Sequence, residues 1–96
     1  MKIAVASEGE TLDSEISQRG GRAQYYLIIE NKKIVEVIKN PFAMGSGGAG
    51  FSVAYMLADK KVDLVVAGNV GGNMVSALNE KGLKFKEASG KVEEVL

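Results

Sequence analysis

Two glycine-dense stretches, Gly45-Ser46-Gly47-Gly48-Ala49-Gly50 and Gly68-Asn69-Val70-Gly71-Gly72, each run from an extended segment into a helical pattern. A helix start leaves several N–H groups without internal partners. Glycines admit backbone angles closed to other residues, so each junction can present several donors to one anionic or polar group. Two such junctions in 96 residues imply a shared pocket. A polar stretch from Glu8 to Arg22 brings Arg19 and Arg22, which read as well as an anion clamp as they do as solvated charges. Asn69 reads either as part of the pocket or as a plain helix cap.

Familiar nucleotide motifs fit poorly. Residues 45–50 satisfy G-x-G-x-x-G, yet they follow a strand ended by Pro41, and Val70 stands about 20 residues on, where a dinucleotide site wants an acid. Phe51 stands where a phosphate loop of the G-x-x-x-x-G-K-[ST] type needs lysine. The chain has no cysteine and no histidine. Thiolate and imidazole ligands, serine–histidine triads and the usual neutral-pH base are therefore missing together. Glu8 and Asp13 are two carboxylates with no third ligand in sight, and Met44, Met56 and Met74 read as packing, so no metal ligands and no catalytic residues are assigned.

Twelve basic residues cancel twelve acidic ones, so no net field favours nucleic acid or an anionic membrane. Residues 1–8 hold too short an apolar run for a signal peptide or a membrane span, and a cytoplasmic location is the default expectation. The length suits one domain over residues 1–96.

The elements that position the two junctions follow from hydrophobic pattern. Ile3 to Ala6 and Leu64 to Ala67 are continuous apolar runs, as expected of central strands covered on both faces. Tyr25 to Glu30 and Ile34 to Lys39 form a hairpin turning at Asn31-Lys32. Asn40-Pro41 ends its second strand. Phe51, Ala54, Tyr55 and Ala58 mark a first helix, and Met74, Val75 and Leu78 a second that stops at Lys81-Gly82. Leu83 to Lys86 alternates like an edge strand beside residues 64–67, and Ser89 can cap a last helix from Gly90. The expectation is an α/β fold: a five-stranded mixed sheet with a parallel centre, a β-hairpin and about three helices.

Taken together, Leu12-Asp13-Ser14, Ser17-Gln18-Arg19-Gly20-Gly21-Arg22-Ala23, Asn40-Pro41, Gly47-Gly48-Ala49-Gly50, Val62-Asp63, Ala67-Gly68-Asn69-Val70-Gly71 and Ala88-Ser89-Gly90-Lys91-Val92 resemble the dinitrogenase iron-molybdenum cofactor biosynthesis family. The resemblance covers nearly the whole chain. It implies a ribonuclease H-like fold and a nitrogenase accessory factor-like role in carrying iron-molybdenum cofactor or another molybdenum or iron–sulfur cluster. It also implies a pocket lined by Ser17, Arg22, Gly47, Gly48, Gly68, Asn69, Gly71 and Ser89, to which the residue reading adds Arg19. Family members often carry histidine near positions 19 and 44, where this chain has Arg19 and Met44. A cluster would then be held by backbone donors and arginines, without Cys or His ligation.

The expected function is a non-enzymatic carrier of an anionic metal–sulfur cluster or oxyanion, with cofactor-assembly proteins as partners and a monomer or homodimer as the working form. A small-molecule or nucleotide-binding regulator and a protein interaction module are the alternatives.

Overall fold

The computed structural model describes residues 1–44 and 48–96. The two apolar runs become neighbouring parallel strands, β1 (Lys2–Ser7) and β4 (Leu64–Ala67), with Ile3, Ala4 and Val5 opposite Leu64, Val65 and Val66. On one side β1 pairs antiparallel with β2 (Tyr25–Glu30), which pairs antiparallel with β3 (Lys33–Lys39). On the other side β4 pairs parallel with β5 (Lys84–Glu87). The sheet order is β3-β2-β1-β4-β5, so the expected mixed sheet with a parallel centre is observed.

Alternation along the strands divides the core in two. Ala4, Ala6, Tyr26, Ile28, Val65 and Ala67 face the helices α1 (Ala49–Asp59) and α2 (Gly72–Glu80). Val5, Leu27, Ile29 and Val66 face the other way, where they meet Ile16 and Val92 instead of a helix. Small residues at Ala4, Ala6 and Ala67 let the helices lie close to the sheet. Helix α2 ends as its sequence signals: Gly82 takes φ 71°, the Gly82 N–H donates to Asn79 O and the Leu83 N–H to Leu78 O, a Schellman closure.

The long polar stretch before β2 does two jobs. Its first part, residues 8–16, covers the helix-free face: Ile16 N–H donates to Gly90 O, while Ser14 O and Leu12 O accept from Val92 and Glu93 N–H at 2.9 Å each. Its second part, residues 17–22, crosses the end of the sheet. The expected third α-helix is instead a 3₁₀ turn at Val92–Val95, with Lys91 and not Ser89 as its first cap. Gly90 at φ 101° breaks the chain direction between the two, so Ser89 points no helix. Among the described residues no helix is long and apolar enough to cross a membrane.

The hairpin turns on Asn31 and Lys32, at φ 54° and 62°. Two consecutive positive values are what a two-residue type I′ connection demands, because its twist matches that of the strands. A lysine pays for that geometry in side-chain crowding. Lys32→Gly is expected to raise the unfolding free energy by about 0.5 kcal/mol in urea denaturation, the relief of left-handed strain outweighing the added freedom of the unfolded chain.

Candidate functional site

Because β1 and β4 run parallel, the segments that follow them leave the sheet at the same end. Ser17 joins them. Its N–H donates to Ala6 O at 2.9 Å, and its carbonyl accepts from Gly68 N–H at 2.7 Å. Its hydroxyl accepts from Arg19 N–H at 3.3 Å, so every polar group of this buried residue serves the loop itself. At Gly68 a Cβ would lie 2.6 Å from Gln18 Cα, and only glycine permits that crossing.

Both helices begin at this end. Their caps are Gly48, at φ 88°, and Gly71, and neither start has a side-chain cap. Asn69 is therefore no helix cap; its carbonyl accepts from Gly20 N–H at 3.0 Å. A Cβ on Gly50 would stand 3.0 Å from Met74 N, and one on Gly21 would stand 3.1 Å from Gly50 N. The first turn of α1, the first turn of α2 and the Gly20-Gly21 segment thus meet backbone against backbone. Among the described residues, the first-turn amides 49–51 and 72–74 donate to nothing outside their helices. The Val70 N–H between them is taken by the Glu87 carboxylate at 2.8 Å.

The meeting point is an open cavity of about 460 Å³. Of the residues singled out in the sequence, Arg19, Arg22, Gly48, Asn69 and Gly71 line it. Ser17 and Gly68 stand behind it as loop anchors, and Ser89 is an exposed residue outside the lining. Gly47 lies outside the described residues. Gly20, Gly21, Ala49, Gly50, Gly72, Asn73 and Met74 also line the cavity. The Gly20-Gly21 pair was the available signal for the first two, and Ala49, Gly50 and Gly72 belong to the two glycine junctions read in the sequence; Asn73 gave no signal, and Met74 read as packing. Among the described residues no acidic side chain belongs to this lining, and the charges found there are the Arg19 and Arg22 guanidiniums and the helix ends. A second cavity of about 470 Å³, at Met1, Asp63 and Lys84 by the opposite end of the strands, gathers no helix start. Asp13, weighed as a metal ligand, instead accepts from the Thr11 hydroxyl, which holds its carboxyl below the ordinary value.

The Gly20 carbonyl is pinned inward by the Tyr26 hydroxyl, which donates to it at 2.6 Å in a fully buried setting. In a trans peptide the carbonyl and the following N–H point in opposite directions. The Gly21 N–H is accordingly turned away from Tyr26, and it has no partner among the described residues.

A small α/β fold with a donor-rich cavity where its central strands end is the class this geometry defines. The chain belongs to the dinitrogenase iron-molybdenum cofactor family, whose model matches residues 1–96. Among solved structures it is similar to the apo form of the orange protein from Desulfovibrio gigas, at 28% identity and a TM-score of 0.89, over 98% of this chain and 82% of that one. It is also similar to a NifB-like protein of the DUF35 family from Thermotoga, at 34% identity and a TM-score of 0.78, over 97% of this chain and 81% of that one. No curated protein sequence matches it.

Burial raises the Tyr26 phenol above its ordinary value of 10.0. A raised value means that the fold disfavours the ionised form, so the stability it contributes is intact below pH 10.0 and is lost as the pH climbs beyond it. Urea denaturation is expected to show a midpoint that declines above that pH. Tyr26→Phe should flatten the decline, while lowering stability at neutral pH by about 1–3 kcal/mol through the unpaired Gly20 carbonyl.

Proposed function

We propose that this protein is a non-enzymatic carrier whose cavity holds an anionic metal–sulfur cluster related to the iron–molybdenum cofactor, or a related oxyanion. The observation behind this reading is the meeting of two helix N-termini at Gly50 and Met74 beneath Arg19 and Arg22. Main-chain donors at helix starts favour negative charge, and guanidiniums add charge-assisted hydrogen bonds. Family membership supports cofactor-related binding or handling, and the NifB-like description of the Thermotoga relative is consistent with it.

The donor set fits a guest that arrives with its own inner ligands. With neither cysteine nor histidine in the chain, the sulfides or oxygens of the cargo would accept hydrogen bonds from amides 49–51 and 72–74, and no protein ligand would need to be exchanged on release. The strand order also agrees with a ribonuclease H-like assignment. That assignment carries no nuclease with it, because β1 has no carboxylate to hold a catalytic metal. Cofactor-assembly proteins are the partners this role calls for.

Reconstitution with iron–molybdenum cofactor or tetrathiomolybdate, followed by gel filtration, tests the role: molybdenum should elute with the protein, and elution wholly with small molecules would count against it. Arg19→Ala and Arg22→Ala are each expected to weaken tetrathiomolybdate binding about tenfold, the scale of one hydrogen bond to a charged group. Exposed Arg19 should leave the melting temperature unchanged on substitution.

A further inference from the structure

Asn40 precedes the one proline of the chain; from sequence it ends a strand and belongs to one motif of the family resemblance, with no role of its own. In the fold it is 5% exposed and fully engaged. Its Nδ2 donates to Ala23 O at 2.9 Å and to Gly21 O at 3.1 Å, its Oδ1 accepts from Phe42 N–H at 3.0 Å, and its own N–H donates to Gln24 O at 3.0 Å. One carboxamide therefore bridges the segment that carries Arg22 and the segment that leads toward α1.

We propose that Asn40 is a positioning residue for the cavity, fixing the backbone from which Arg22 reaches the guest. The inference rests on the carrier reading above and deepens it. With Gly21 O drawn to Asn40, the other edge of the same trans peptide, the Arg22 N–H, faces away from Asn40. With Gly20 O drawn to Tyr26, the Gly21 N–H is turned outward in the same manner. Two buried side chains from neighbouring strand ends thus hold successive carbonyls inward, and the opposite edge of that backbone borders the cavity. No other residue type supplies this pattern at that length. Aspartate keeps the acceptor for Phe42 but sets a carboxylate oxygen against two carbonyls, and serine is too short to span both segments.

The consequence is a loss of affinity that does not track loss of stability. Asn40→Asp and the milder Asn40→Ser are to be compared with wild type and with Val92→Ala, a truncation on the helix-free face of the core that shares no contact with the cavity. Tetrathiomolybdate is titrated calorimetrically at a temperature where circular dichroism shows every variant folded. Asn40→Asp and Asn40→Ser are expected to bind about 10- to 100-fold more weakly, the usual cost of losing a residue that orients a binding group, while Val92→Ala binds as wild type does. Wild-type affinity in the folded Asn40 variants, or an equal loss in Val92→Ala, overturns the positioning role and leaves the carrier reading standing. Failure of the wild-type chain to bind overturns both.

Discussion

Two helices that start side by side bring like ends of two dipoles together, each equivalent to about half a positive charge. Among the described residues both starts lack side-chain caps and no acidic side chain lines the cavity between them; the Glu87 carboxylate is taken up by the Val70 N–H ahead of α2. The approach is closer than any side chain would allow, because Gly50 lets the backbone of α1 rest on Met74. Packing of both helices against the alanine-rich face of the sheet holds the like ends in place. The rest of the molecule answers that constraint, and an electron-rich guest is what the local field favours.

Rigidity around the cavity comes from groups that never touch it. Ser17 links the ends of β1 and β4, Tyr26 and Asn40 hold the carbonyls of residues 20, 21 and 23, and Glu87 occupies the Val70 N–H. Each satisfies a donor or acceptor that would otherwise face an apolar interior. The outcome is a division of labour: polar side chains are spent inward, and among the described residues the first main-chain amides of both helices donate to nothing outside their helices. Such an arrangement suits recognition of charge and shape more than the chemistry of a single reactive group.

The scaffold was legible in the sequence because burial writes itself into pattern. Continuous runs at 3–6 and 64–67 announced central strands, alternation at 83–86 an edge, and Asn31-Lys32 a turn. The third helix was misread because Ser89 looks like a cap only if Gly90 is free to enter a helix, whereas Lys91 is drawn into a bridge with Glu15. The resemblance implied Ser17 and Gly68 as lining, and in the structure both stand behind the cavity. A hydroxyl and a glycine beside a binding loop look like lining, but here their backbones bond to each other, a pairing set by strands far apart in the chain. Asn40 stood among the motifs of the resemblance, but its bonds to residues 21 and 23 were not legible, since its place before proline already had a local explanation. Contacts such as Gly50 against Met74 depend on how two helices dock, which local pattern does not encode.

The helix-free face carries a consequence of its own. Residues 12–16, immediately ahead of the arginine-bearing loop, find their backbone partners at 90–93, beyond β5 in the chain. During synthesis those partners emerge after every strand and both α-helices. The segment that leads into the arginine-bearing loop therefore stays unlatched on the nascent chain until all five strands and both α-helices have been made, so this long-range pairing closes after the elements it covers.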